Sequence, residues 1–348
     1  MTASEPNDTI PVIDIAAPSQ EVAQQLLDAA SAHGFLYIKN DGLTIATEDI
    51  DDMFGLSRDF FNLPLEQKKE YAIHSQKAGG INRGWVSMQG ESLDPDGQKD
   101  PKEAFNIAPP DPTLQSLPAP LSAQADLISR FQTSCQSLCT TLLSLLATAL
   151  EIPHPDYFIA RHDQSLGPSG TIFRLLYYPR SISSPPNSNR NGEEKQSIRA
   201  GAHSDYGTLT LLFRLPGQPG LELLTPTGWQ PVPVNPSPST LLKPPILVNI
   251  GDLLSFWTRG MLKSTVHRVV FEGGEERYSM AYFCHPLDEV RLDTVPGRVI
   301  AEFGEKGSRE LEGQRRRLGL SEGFGEKEGE VLTARGHLER RLKVTYGI

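Results

Sequence analysis

The sequence predicts a mostly β fold with flanking helices: a jelly-roll core of the double-stranded β-helix type, an N-terminal α/β region before it and a helical extension after it. Two patterns carry that expectation. Beyond Pro153 the chain breaks into short β-type runs at 171–178, 208–213, 221–224, 246–250, 265–271 and 278–284, separated by Gly and Pro turns, the layout of an antiparallel barrel or jelly roll. Ahead of Pro153, apolar residues recur at helical spacing, most extensively over 122–150, where Leu127, Phe131, Cys135, Leu138, Leu142, Leu145 and Ala149 share one face. The expected organisation is a helical or mixed region at 1–150 packed on a core at 151–300, with a C-terminal helical extension at 301–348.

Taken in order, Ile10-Pro11-Val12-Ile13-Asp14-Ile15 reads as a short opening strand, and 19–33 as a helix with Val22, Leu26, Leu27 and Ala30 on one face, stopped by Gly34. Phe35-Leu36-Tyr37-Ile38 reads as a strand. Residues 47–61 read as a second helix ended by Asn62-Leu63-Pro64, with a further short helix from Leu65. Frequent Gly, Pro and Asp over 79–120 predict irregular chain with brief strands around Trp85 and Phe105. The 181–197 segment, rich in Ser, Pro, Asn and Gly, reads as a surface loop whose position allows a lid role. After a charged, Gly-rich stretch at 304–330, residues 331–346 read as a last amphipathic helix.

A chain of 348 residues buries a substantial core. Its net charge of -10 and the lack of a Lys/Arg run resembling a nucleic-acid patch argue against a nucleic-acid partner. Cys135, Cys139 and Cys284 fit buried small hydrophobes in a reducing compartment better than a disulfide or a zinc pair. The polar first nine residues lack the apolar core of a secretory signal, and apolar stretches such as 142–150 are too short to span a bilayer. A soluble, cytoplasmic protein with no membrane or obligate protein partner is expected.

Chemistry concentrates in two places. In Gly201-Ala202-His203-Ser204-Asp205-Tyr206-Gly207, His203 and Asp205 are two apart, so on a strand both side chains point the same way. His267, in Ser264-Thr265-Val266-His267-Arg268, supplies a third ligand if the chain folds back. Two histidines and a carboxylate occupy one face of an octahedral ion, the arrangement that non-haem Fe(II) sites use, although a zinc hydrolase shares the donor types. Arg277-Tyr278-Ser279 tips the balance. On a strand Arg277 and Ser279 share a face, and a guanidinium with a hydroxyl receives a carboxylate well. A cosubstrate that chelates iron through a 2-oxo acid and presents a second carboxylate fits both sites, which describes 2-oxoglutarate.

In these motifs, taken in order, the chain resembles the isopenicillin N synthase-like family of Fe(II)- and 2-oxoglutarate-dependent dioxygenases. The likeness runs nearly end to end, from the 10–15 opening and the His33-Gly34-Phe35 turn to Arg277-x-Ser279. It implies that His203, Asp205 and His267 hold Fe(II), and that Arg277 and Ser279 hold the distal carboxylate of 2-oxoglutarate. Tyr178, in Tyr177-Tyr178-Pro179, matches a tyrosine that helps bind the cosubstrate; where relatives often carry asparagine, this chain has Leu176. Phe283 corresponds to an aromatic position that stacks on substrate in some relatives. Arg83, Trp85 and Phe105 are further candidates to reach the substrate from the N-terminal half. The implied activity uses O2, with ascorbate as an in vitro aid, to hydroxylate, desaturate or cyclise a small cyclic or aromatic metabolite of secondary metabolism, releasing succinate and CO2. Two alternatives stand beside it: an oxidase of the same fold that does not use 2-oxoglutarate, and a non-catalytic metal-binding sensor.

Overall fold

Ser19 opens the first helix by accepting the Val22 N–H, and the helix ends where Gly34, at φ +69°, turns back so tightly that a Cβ there would lie 2.2 Å from the Lys263 carbonyl oxygen. The computed structural model describes residues 9–42, 44–94, 99–111, 113–180, 198–271, 275–304 and 332–347. Their elements run β1 (Val12–Ile13), α1 (Gln20–Ala32), β2 (Phe35–Ile38), α2 (Thr47–Phe61), α3 (Leu65–Lys69), β3 (Gly84–Val86), β4 (Glu103–Ile107), α4 (Ala119–Ser122), α5 (Ala125–Ala149) and α6 (Tyr157–His162). There follow β5 (Ile172–Tyr178), β6 (Ile198–His203), β7 (Leu209–Arg214), β8 (Leu221–Thr225), β9 (Gly228–Pro231), β10 (Ile246–Ile250), α7 (Asp252–Trp257), β11 (His267–Val270), β12 (Arg277–Cys284), α8 (Arg298–Phe303) and α9 (Ala334–Tyr346).

Two sheets form the core. The larger has the order β1-β2-β10-β7-β12-β5-β4-β3 and the smaller β6-β11-β8-β9. From β5 onward the chain moves back and forth between them, the winding of a double-stranded β-helix. The four N-terminal strands are built into the larger sheet, β2 pairing with β10 and β4 with β5. On its outer side α5 packs with Phe131 against the rings of Phe173 and Phe213, at 5.0 and 5.1 Å. The three cysteines are free and buried.

Strand β12 shows how alternation divides the two faces. Tyr278, Met280, Tyr282 and Cys284 face the helical layer as core, whereas Arg277, Ser279, Ala281 and Phe283 line a cavity between the sheets. Among the described residues no helix is long and apolar enough to cross a membrane. The 181–197 segment, expected as a loop with a lid role, and most of 304–330 lie outside the described residues.

Candidate active site

His203 ends β6 and His267 begins β11, and the antiparallel register sets the two residues directly opposite each other. Their ring centroids are 4.3 Å apart. Asp205 lies just past the end of β6 rather than on it, so its position comes from the turn and not from strand alternation. The three side chains still converge: Asp205 Oδ1 is 3.8 Å from His203 Nε2 and 3.7 Å from His267 Nε2. Two ligand atoms at right angles about 2.1 Å from one ion lie about 3 Å apart, so a small closure accommodates a metal.

Each donor atom is prepared for that role. His203 Nδ1 lies 2.7 Å from the Gly201 carbonyl and His267 Nδ1 3.1 Å from the Thr265 carbonyl. Carbonyls only accept, so both Nδ1 atoms carry the proton and both Nε2 lone pairs face inward. Asp205 Oδ2 accepts from Thr210 Oγ1 and Asn249 Nδ2, each at 2.7 Å, which leaves Oδ1 for an ion. Burial pushes His203 down to about 3, with the His267 charge acting in the same direction against Asp205. Burial acts to raise Asp205, but the two imidazoles and the Asn249 and Thr210 bonds outweigh it and hold the carboxyl below its ordinary value. Neutral imidazole beside carboxylate is the protonation state that binds a divalent metal.

Across the same cavity, of about 980 Å3 including its open mouth, lies Arg277. It is 3% exposed, donates from Nε to the Pro219 carbonyl and from Nη1 to Ser279 Oγ, and sits 4.9 Å from the Tyr178 ring centre on the adjacent strand. Among the described residues no carboxylate pairs with it. Burial pushes its pKa below the ordinary arginine value. A desolvated guanidinium without an anion is costly unless a ligand supplies one. The residues present therefore fit both an octahedral divalent ion and a dicarboxylate.

The comparisons with known proteins agree with this geometry. Residues 10–127 match the model of the non-haem dioxygenase in morphine synthesis N-terminal region, and 170–286 match that of the 2OG-Fe(II) oxygenase superfamily. The chain belongs to the 2OG-Fe(II) oxygenase superfamily. It is a non-haem 2-oxoglutarate-dependent dioxygenase, using Fe(II), 2-oxoglutarate and O2. A UPF0676 protein of Schizosaccharomyces pombe is 33% identical over 348 residues, 97% of this chain and 93% of the relative. Proline hydroxylase buaE of Petromyces alliaceus is 31% identical, covering 85% of this chain and 91% of the relative. A full-length Neurospora crassa protein, solved in complex with alpha-KG and thymine, superposes with a TM-score of 0.68 at 26% identity over 96% of each chain. These likenesses favour the 2-oxoglutarate-dependent reading over the oxidase and sensor alternatives.

The structure brings His203, Asp205, His267, Arg277, Ser279, Tyr178 and Phe283 to one cavity, but not Arg83, Trp85 or Phe105. Phe105 is fully buried against Phe60 on the helical side of the larger sheet, because alternation along β4 turns it away. Trp85 donates its Nε1–H to Glu103, and Arg83 is tied to the Gly79 and Leu114 carbonyls. His162 ends α6 away from the triad and is satisfied by Phe158 O and Thr208 Oγ1.

Sequence reasoning missed several cavity groups. Asn249 and Arg174 are polar residues inside otherwise apolar strands, and that incongruity was the available signal. Glu91, Lys102, Thr345 and Tyr346 also line the cavity, the last two from α9. Glu91 accepts from Arg174 Nη2 at 2.6 and 2.7 Å and pairs with Lys102 at 2.9 Å, and Lys102 pairs with Asp100 at 2.6 Å. Burial would raise Glu91, but the Arg174 and Lys102 charges hold its carboxyl well below the ordinary range.

Proposed function

We propose that the enzyme oxidises a small, uncharged, cyclic or aromatic metabolite, with His203, Asp205 and His267 holding Fe(II) and Arg277 and Ser279 holding the distal carboxylate of 2-oxoglutarate. Tyr178 flanks that carboxylate and Phe283 offers a ring to the substrate. The observation that carries the cosubstrate assignment is the buried Arg277, without an anion of its own, in the cavity that also holds the triad. Held there, iron supplies the redox chemistry that couples decarboxylation of 2-oxoglutarate to substrate oxidation, one atom of O2 ending in succinate and the other, in a hydroxylation, in the product. The protein's own part is to hold each imidazole through Nδ1 so that Nε2 faces the ion, present Oδ1 of Asp205, fix the cosubstrate's far end and exclude water.

The reading of an uncharged substrate rests on charge. Of the described cavity-lining cations, Arg174 and Lys102 are already paired with Glu91, and Arg277 is reserved for the cosubstrate. A carboxylate substrate would find no free counter-ion among these cations. Thymine, in the Neurospora crassa structure, is uncharged and cyclic. The test is succinate formation by the Fe(II) protein across matched neutral and acidic compounds. Turnover confined to neutral members is expected; efficient turnover of their carboxylate counterparts would sink the substrate reading. His267→Ala should abolish both iron binding and succinate formation.

A further inference from the structure

We propose that Asp100 is a positioning residue for the iron-binding strand, setting His203 from the far half of the chain. The proposal rests on His203 being an iron ligand. Among the described residues, strand β6 is the outermost of the smaller sheet and pairs with β11 alone. Its outer edge offers backbone groups that no strand among the described residues receives. Gly201 lies there, two residues before His203, and donates its N–H to Asp100 Oδ1 at 2.8 Å. The carbonyl of the same Gly201 accepts from His203 Nδ1. The Asp100 bond thus fixes the residue whose carbonyl sets the rotation and tautomer of the imidazole.

The approach is close enough to demand glycine. A Cβ at Gly201 would lie 2.7 Å from Asp94 Cβ and 2.9 Å from Asp94 N. Asp100 is itself held from behind: it is 1% exposed, its Oδ2 takes Lys102 Nζ and the Leu93 N–H, and its N–H donates to the Glu91 carbonyl. Glu91 continues the chain of contacts to Arg174 and to the Tyr346 hydroxyl. Displacing Asp100 would leave a buried ammonium and a buried amide short of partners, so the strand edge has little freedom to move. A purely structural role, neutralising Lys102, explains Oδ2 alone. It leaves the Oδ1 bond to Gly201 without a purpose.

The two roles separate in an experiment on the full chain. Anaerobic titration with Fe(II), and with Co(II) as a spectroscopic probe, is combined with thermal unfolding of the metal-free protein. Asp100→Ala is expected to raise the metal Kd about ten- to a hundredfold, as when other partners that orient a metal-binding histidine are lost, and to change the Co(II) spectrum. Asp100→Asn keeps an oxygen for Gly201 and should stay within about threefold of the parent on the same scale. Lys68→Met breaks the largely buried Lys68–Glu103 pair, which does not touch the triad, and should lower the melting temperature without changing the Kd. Parental Kd and Co(II) spectrum in Asp100→Ala would overturn the proposal, as would affinity losses in Asp100→Ala and Lys68→Met that merely track their melting temperatures. Asp100→Ser, too short to reach Gly201, carries the same expectation if the alanine variant does not fold. His203→Ala serves as reference: undiminished metal binding there would refute the ligand assignment rather than the role of Asp100.

Discussion

Replacing Arg277 by methionine should separate cosubstrate binding from folding. The guanidinium is 3% exposed, and its protein contacts are a carbonyl, a hydroxyl and the Tyr178 ring, all uncharged. Loss of one partner from a buried charge pair costs about 3–5 kcal/mol, and about 1.4 kcal/mol is a factor of ten. The Kd for 2-oxoglutarate in the Fe(II) protein should therefore rise roughly a hundred- to several thousandfold. Without 2-oxoglutarate the effect should vanish or reverse, because Met fills much of the space and removes a desolvated cation. Thermal unfolding under anaerobic conditions tests both halves. The parent should gain about 2.7 kcal/mol at a 2-oxoglutarate concentration of about a hundred times Kd, and Arg277→Met should gain almost nothing at that concentration while melting no lower than the ligand-free parent. A variant that keeps its affinity within threefold, or is strongly destabilised without ligand, would refute the argument.

Asn249→Leu removes a donor to Asp205 Oδ2 and should weaken Fe(II) binding roughly tenfold or more, measured by anaerobic titration; unchanged affinity would mean that Thr210 alone orients the carboxylate. Burial pushes His162 down to about 4, below its ordinary 6.5. Because the folded value is the depressed one, its contribution is intact above pH 6.5 and is lost as pH falls from there toward 4, to a total on the order of 3 kcal/mol. Metal-free His162→Gln should show a shallower fall in stability over that window by denaturant titration, and a slope equal to the parent's would count against it. Glu91→Gln leaves Arg174 with a neutral partner and should admit carboxylate analogues of any neutral substrate, read as succinate formed per compound. Continued rejection of acids by a folded variant would show that shape, not charge, excludes them.

Much of the fold was legible because its signals are local. Strand runs such as 246–250 and the helical periodicity leading to α5 need only the side chains of their own segment, and Arg277-x-Ser279 shares a face because β12 is regular. The pairing of His203 with Asp205 was found for a reason that is only half right. Alternation requires a strand, yet β6 stops at His203, and Asp205 is aimed by Thr210 and Asn249. Glu91, Asp100, Lys102, Arg174 and Tyr346 obey no spacing rule, since only the pairing of distant strands and the return of α9 bring them together. The misplacement of Trp85 and Phe105 has the same origin: composition marked them as aromatic in an irregular stretch, while the face of the sheet decided where they point.

The direct opposition of His203 and His267 has a mechanical consequence. An ion shared by both would act as a clasp across two strands, closing a loop of roughly 60 residues whose formation otherwise carries an entropic cost that grows with the logarithm of its length. Since β11 is four residues long and its pairing with β6 is irregular, that clasp would supply a large share of what holds the strands in step. Chelation should then do more than silence the oxidant. Amide exchange in β6 and β11 should quicken while β5, β7 and β12 stay protected, so that the metal tunes the rigidity of one sheet and leaves the other as a fixed frame.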